Sequence, residues 1–249
     1  MTLPERLDKQ LHFTSIDSTN REAGRRRLEY EGLNILIVSD EQTAGRGRLN
    51  RSWESPPGQG LWCSLLLSRP EQLKVKLELL SLYTSLVIRQ VIQKQTQLGL
   101  ELKWPNDLMV GDKKCGGILT EINWTGNQPQ SCVIGTGINL RQQKTEFSPS
   151  IRDHATSLML EGHPVSRDVL LDEYIHAFFD NYSLLRDPVE LIGRWNSVAW
   201  HMNQEVVLKN RSQVIKGFFR GSNISGQAQI SVGDRIQNCS SGELRWQRD

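Results

Sequence analysis

Four short β-prone runs crowd into residues 100–138: Leu100 to Trp104, Asp107 to Val110, Gly117 to Ile122 and Ser131 to Ile138. Turn-forming stretches separate them, Gly111-Asp112-Lys113 and the segment from Thr125 to Pro129. Adjacent hairpins imply an antiparallel or mixed sheet. Just before them Leu73, Leu77, Leu80, Thr84, Val87 and Val91 recur at helical spacing, which predicts a long amphipathic helix over 71–95. Shorter helices are expected over 22–30, 169–185 and 188–195, and strands over 33–39 and 60–67, after an extended lead-in from Leu3 to Phe13. The long helix and those after Arg167 would cover one face of the sheet. The expected fold class is therefore α+β, a mixed or antiparallel sheet covered by helices.

From about Asn203 the pattern changes to short strands, Glu205 to Lys209, Val214 to Phe219, Gln227 to Ile230 and Asp234 to Gln237, separated by Gly221, Gly226 and Gly233. That reads as a small all-β module, too small for much core unless it packs on the rest of the chain. The expected division is 1–202 for the main domain and 203–249 for the module.

The 30 Lys+Arg residues against 28 Asp+Glu leave a formal charge of +2, which is no general polyanion-binding signature. Arg25-Arg26-Arg27 is basic but has no interleaved aromatics, and reads as a solvated helix face. Cys63, Cys115, Cys132 and Cys239 are widely spread, which argues against a zinc site and for a reduced chain. The polar N-terminus is no signal peptide, and no apolar run approaches the ~18 residues of a membrane span. A cytoplasmic protein with no membrane partner is expected.

The stretch from Glu41 to Trp53 sets Gly45 and Gly47 among Arg46, Arg48 and Arg51, directly after an apolar strand. Glycine lets backbone approach a ligand, and the arginine fork suits carboxylates and phosphates. The loop is either an anion cradle or a flexible, solvated segment. Lys103-Trp-Pro-Asn-Asp107 places Asn106 and Asp107 at a strand edge, where Asp107 could hold a lysine or a divalent metal and Asn106 a phosphate or ribose. An Asx turn between strands is the alternative. Lys114 precedes Gly116-Gly117, and Gly135-Thr-Gly-Ile-Asn139 ends an apolar strand; neither is a GxGxxG fingerprint or a P-loop. No Ser/His/Asp set is evident, and His12, His154, His163, His176 and His201 lie outside these motifs. Cations around a glycine-lined sheet suit carboxylate activation by a nucleotide, which needs no His or Cys nucleophile.

Together, Ser18-Thr19-Asn20, the block at 41–53, the block at 103–119 and Ile134-Gly-Thr-Gly-Ile-Asn-Leu140 resemble the biotin–protein ligases (biotin–[acetyl-CoA-carboxylase] ligases) in order and spacing. The resemblance spans essentially the whole chain. It implies a class II synthetase-like catalytic domain with a C-terminal SH3-like barrel. It also implies a reaction with ATP, biotin and Mg²⁺: biotin is activated as biotinyl-5′-AMP, then passed to a lysine of a biotin carboxyl carrier protein. It places Ser18, Thr19, Asn20 and Gln42 on the biotin head group. Gly45, Arg46, Gly47 and Arg48 belong to the segment that closes over biotin and the adenylate. Lys114 falls at the biotin carboxylate, with Gly116 and Gly117 beside it, and Arg46, Arg48 and Lys114 form the implied catalytic set. Arg48, Arg51, Trp53, Asn106 and Asn139 fall at ATP, and Asp107 is the candidate metal contact.

One position departs from the family: Asn50 stands where glycine usually precedes the third loop arginine, and asparagine tolerates left-handed backbone. The tail from Ser241 to Trp246 resembles the family's closing strand, with Arg245 within reach of ATP or the loop. The first block begins by Ser15, leaving no room for an N-terminal DNA-binding domain, so no sequence-specific DNA binding is expected. An exposed sheet edge could pair with the carrier or with a second copy in a homodimer. A lipoate–protein ligase and a non-catalytic carrier-binding module are the competing readings.

Overall fold

A computed structural model of the chain describes residues 6–210 and 212–246. The start of the lead-in, Leu3 to Glu5, lies outside the described residues. A seven-stranded sheet runs in the order β1-β2-β3-β7-β6-β5-β4. Its strands are β1 (Lys9–Ile16), β2 (Asn34–Gln42), β3 (Gly60–Leu67), β4 (Glu101–Lys103), β5 (Asp107–Val110), β6 (Lys113–Thr125) and β7 (Gln128–Asn139). Only the β1–β2 pair is parallel, and the connection crosses over through helix α1 (Thr19–Arg26). The other pairs are antiparallel, as the hairpin spacing requires.

Side-chain alternation along β2 splits the core. Leu36 and Val38 face one side, which is covered by α2 (Leu80–Thr96), α3 (Arg167–Asp180) and α4 (Pro188–Asn196). Ile35 and Ile37 face the other, where Ala23 of α1 and Tyr30 pack on them. Every residue of β3 is buried, because both faces of the sheet are covered there. The helices after residue 70 do share one face, and α1 takes the opposite one.

Three helices differ from expectation, and the one predicted over 169–185 is an α-helix only over Arg167–Asp180, followed by a 3₁₀ turn at Tyr182–Arg186. The helix predicted over 71–95 begins only at Leu80, after a short 3₁₀ turn at Leu77–Leu79. Leu73 and Leu77 keep their periodic burial, but the carbonyl of Gln72 accepts the Tyr182 hydroxyl at 2.7 Å, and tertiary packing overrides the local pattern. The helix predicted over 22–30 instead spans Thr19–Arg26, so Thr19 and Asn20 sit in its buried first turn.

Strands β8 (Glu205–Lys209), β9 (Val214–Ser222), β10 (Ala228–Val232), β11 (Arg235–Cys239) and β12 (Glu243–Trp246) form a second, antiparallel sheet in the order β11-β10-β9-β8-β12. This five-stranded unit fits an SH3-like barrel. Val206, Leu208, Phe219 and Ile230 join the main core, so the small sheet packs on the rest of the chain. The Trp104 indole N–H also donates to Gly226 O at 2.9 Å. Arg25 and Arg26 are not free on their helix face: Asp17, Glu22 and Glu29 pair with them. No helix among the described residues is long and apolar enough to cross a membrane.

Candidate active site

A cleft of about 1340 Å³ opens along β6 and β7 and reaches the C-terminal strand β12. It exceeds the ~300–1,000 Å³ usual for one small ligand, so it has room for two reactants. Its floor is bare backbone. Gly117 and Gly137 face each other across the β6–β7 pair. A Cβ on Gly137 would lie 2.7 Å from Trp53 Nε1, and one on Gly117 would lie 3.3 Å from Lys114 Nζ. Glycine at 137 is needed for Trp53 to lie against the sheet, whereas a side chain at 117 would only nudge the flexible end of Lys114.

Lys114 is fixed at both backbone atoms. Its N–H donates to His154 O at 2.8 Å and its carbonyl accepts Thr156 N–H at 2.9 Å. Its Nζ lies 2.6 Å from Asp107 Oδ1 and 5.1 Å from the centre of the Trp53 ring. The Trp53 indole N–H is buried against Gly137 and has no hydrogen-bond partner among the described residues.

The Arg/Gly segment is a hairpin. Gln42 pairs with Ser55, Trp53 N–H donates to Gly45 O at 2.9 Å, and Gly47 N–H donates to Arg51 O at 2.7 Å. Leu49 and Asn50 form the tip, both left-handed at φ 56° and 61°. The Arg51 N–H to Arg48 O bond of 3.2 Å closes a turn of the primed type. Asparagine thus does occupy the left-handed position, and leucine is forced into one beside it.

The hairpin places its arginines differently. Arg46 pairs with Glu121 at 3.1 Å. Arg48 Nη1 lies 3.3 Å from Asn106 Oδ1 and 3.5 Å from Gly242 O, and burial pushes its pKa down. Arg51 pairs with Glu243 of β12 at 2.6 Å. Burial would raise the Glu243 carboxyl, but hydrogen bonds from Arg51 and Arg245 prevail and hold it at about 2. Lys103 lies over the Trp200 ring at 4.7 Å, and burial lowers its pKa.

At the other end, beside α1, lies a polar chain. Thr19 N–H donates to Gln42 Oε1 at 2.9 Å, and Gln42 Nε2 donates to Ser55 Oγ at 2.8 Å. Asn20 Nδ2 donates to Glu121 Oε2 at 2.8 Å and to Leu119 O at 3.3 Å. Those partners fix both amide orientations, leaving Asn20 Oδ1 and Gln42 Oε1 as acceptors facing two hydroxyls. Ser64 Oγ lies 2.6 Å from Asn20 Oδ1 and 2.7 Å from Thr19 Oγ1, which lies 3.1 Å from Gln42 Oε1. Two hydroxyl protons cannot serve three oxygen–oxygen contacts. With more oxygen lone pairs than protons, this end of the cleft is rich in acceptors and suits a ligand that brings N–H groups.

Of the residues singled out from sequence, Ser18, Thr19, Asn20, Gln42, Arg46, Gly47, Arg48, Arg51, Trp53, Asn106, Asp107, Lys114, Gly117 and Asn139 all line this cleft. Gly45 and Gly116 do not. A Cβ on Gly45 would meet Trp53 O at 2.4 Å, and one on Gly116 would meet Ile138 Cδ1 at 2.6 Å, so these glycines serve close strand packing. Asn139 lines the cleft, but Nδ2 donates to Thr156 O at 2.9 Å and Oδ1 accepts from Gln142 at 3.1 Å. Sequence reading passed over Glu121, Ser64, Trp200 and the 153–155 segment, which carry no motif of their own, and singled out Arg245 rather than Glu243 in the closing strand. No cluster of three His, Cys, Asp or Glu side chains able to hold a metal occurs among the described residues.

The pattern of the Biotin/lipoate A/B protein ligase family matches residues 12–139. The chain is 34% identical over 217 residues to the bifunctional ligase/repressor BirA of Bacillus subtilis, covering 84% of this chain and 65% of that protein. The biotin–[acetyl-CoA-carboxylase] ligase of Paracoccus denitrificans is 27% identical over 220 residues, covering 84% of this chain and 89% of that one. The chain superposes on the biotin protein ligase of Aquifex aeolicus in complex with biotin and ATP with a TM-score of 0.80 and 28% identity, covering 98% of this chain and 100% of that one. The overall fold is thus shared, and the chain belongs to the biotin/lipoate A/B protein ligase family.

Proposed function

We propose that the chain is an ATP-dependent ligase that makes biotinyl-5′-AMP and transfers the biotinyl group to a lysine of a biotin carboxyl carrier domain. The catalytic part would be 1–202 and the module 203–249. The observation that carries this reading is the polarity of one continuous cleft. One end, at Thr19, Asn20 and Gln42, is rich in hydrogen-bond acceptors; the other gathers Arg48, Arg51 and Lys114. A cyclic urea brings two N–H groups to the first end, whereas the dithiolane ring of lipoate brings none. That favours biotin over lipoate.

The chemistry follows from the charges. Biotin's carboxylate and ATP repel each other, so cations must stand where they meet. A carboxylate oxygen attacks the α-phosphorus and pyrophosphate leaves. The carrier's amine then attacks the acyl carbon, AMP leaves, and the amine gives up a proton. Lys114 sits where charge changes in both steps, and Asp107 holds its ammonium in place. Arg46, Arg48 and Lys114 form the catalytic set, with Arg51, Trp53 and Asn106 toward the nucleotide. The hairpin excludes water that would hydrolyse the anhydride.

Mg²⁺ binds through one or two carboxylates plus substrate phosphates rather than a protein cage. Asp107 would fit that mode through the oxygen that Lys114 leaves unpaired, and the ion would neutralise phosphate charge there. Biotin-dependent exchange of labelled pyrophosphate into ATP tests the reading. Exchange with biotin and not lipoate is expected; exchange with lipoate alone, or with neither, contradicts it.

A further inference from the structure

We infer that Lys103 is a further catalytic residue, whose ammonium takes the pyrophosphate end of the nucleotide and so serves adenylate formation but not transfer. The inference rests on the biotin-ligase reading above. One row of opposed residues crosses the sheet, Gly137, Gly117, Asp107 and Lys103, and all four line the cleft. Opposed residues share a face of the sheet. Lys103 therefore stands two strand spacings, ~10 Å, beyond the bare Gly117 where the Lys114 ammonium rests, with Asp107 between them. The hairpin fixes this placement, because Asn106 N–H donates to Lys103 O at 3.1 Å. Trp200 is fixed beside it. Its backbone N–H donates to Leu102 O at 2.9 Å, its indole N–H donates to Gly111 O at 3.0 Å, and Lys103 Nζ lies over its ring at 4.7 Å.

Five cations, Lys103, Lys114, Arg48, Arg51 and Arg245, interact at this end of the cleft with two carboxylates, Asp107 and Glu243. Asp107 holds Lys114, and Glu243 holds Arg51 and Arg245. Arg48 and Lys103 make no ion pair among the described residues. Arg48 has only the neutral oxygens of Asn106 and Gly242, and Lys103 has the Trp200 ring. Both are half-buried, and burial pushes both pKa values down. A desolvated charge without a counter-ion is costly until an anion meets it. The nucleotide brings two anionic parts, the α-phosphate that stays with the adenylate and the diphosphate that leaves. Arg48, on the hairpin, goes with the first, and Lys103, beyond Asp107, goes with the second. A carboxylate oxygen of biotin bonds to the α-phosphorus, the bond from that phosphorus to the bridging oxygen breaks, and its electron pair stays on pyrophosphate. The Lys103 ammonium meets that growing charge. Once pyrophosphate has left, Lys103 touches neither the adenylate nor the carrier's amine.

The experiment measures the two half-reactions apart, on the full chain, in the wild type and in Lys103→Met. One is rapid-quench formation of biotinyl-5′-AMP from biotin and Mg-ATP. The other is single-turnover transfer from supplied biotinyl-5′-AMP to a biotin carboxyl carrier domain. Lys103→Met is expected to slow adenylate formation about 10²-fold, the scale of one lost transition-state contact, and to weaken inhibition of that step by added pyrophosphate. Transfer from supplied adenylate should keep the wild-type rate, which also shows that the variant is folded. Adenylate formation at the wild-type rate in Lys103→Met overturns the inference, as does a loss shared by both half-reactions or confined to transfer. A wild-type chain that forms no biotinyl-5′-AMP contradicts the functional reading instead.

Discussion

The ammonium of Lys114 lies 2.6 Å from the carboxylate of Asp107, and both face the glycine floor of the cleft. The lysine is thus aimed before any substrate arrives, by an acid on the neighbouring strand β5 and by backbone bonds to the 154–156 segment. A preorganised charge needs no rearrangement when the reacting carboxylate arrives.

Lys114→Ala is expected to slow biotinyl-5′-AMP formation by about 10²–10³-fold, the scale of losing one transition-state charge contact, while biotin binding changes far less. Rapid-quench measurement of adenylate formation alongside biotin titration checks the split. Asp107→Asn should retain the lysine but lower the rate, because its ammonium is no longer held.

Glu243 joins the C-terminal sheet to the hairpin through Arg51. Its carboxyl is held at about 2, below the ordinary 4.5. A depressed carboxyl contributes stability that is complete above its unfolded value and lost as pH falls through the folded one. The link should therefore hold at neutral pH and disappear between about 4.5 and about 2. Glu243→Gln should flatten that part of the acid-unfolding curve; an unchanged curve would count against the link.

Gly135→Ala puts a methyl 2.0 Å from Asn20 Oδ1, inside a buried network. Overpacking of this kind costs ~1–3 kcal/mol. A lowered melting temperature together with weakened biotin binding is expected, whereas Gly126→Ala, on a hairpin tip with nothing within 4 Å, should leave biotin binding unchanged.

Leu49 is 58% exposed and left-handed, a conformation that costs an ordinary side chain roughly 1–2 kcal/mol. Leu49→Asn should relieve part of that cost and slow proteolysis within 46–52. Faster cleavage would show that the tip is not held as this turn.

Much of this was legible in the sequence because it is local. The β5–β7 hairpins and the α+β layering follow from turn chemistry and side-chain period. The Arg/Gly hairpin and the Lys114 block could be found because their residues are contiguous. Residues that act across the fold could not be found that way. Glu121 meets Asn20 across 101 positions, and Glu243 meets Arg51 across 192, with nothing in either local pattern to mark the partner. Gly45 and Gly116 lie inside the motifs but off the cleft lining, where a Cβ on either would meet the neighbouring strand. The start of α2 is not marked in the sequence, because the apolar period continues through Leu73 and Leu77, where the backbone is not yet α-helical.

The most direct test is mass spectrometry of a biotin carboxyl carrier domain after incubation with this protein, biotin and Mg-ATP. The expected result is a gain of one biotinyl group on a single lysine, dependent on ATP and absent with Lys114→Ala. An unmodified carrier, or one that gains a lipoyl group when lipoate is offered and nothing with biotin, would contradict the proposed function.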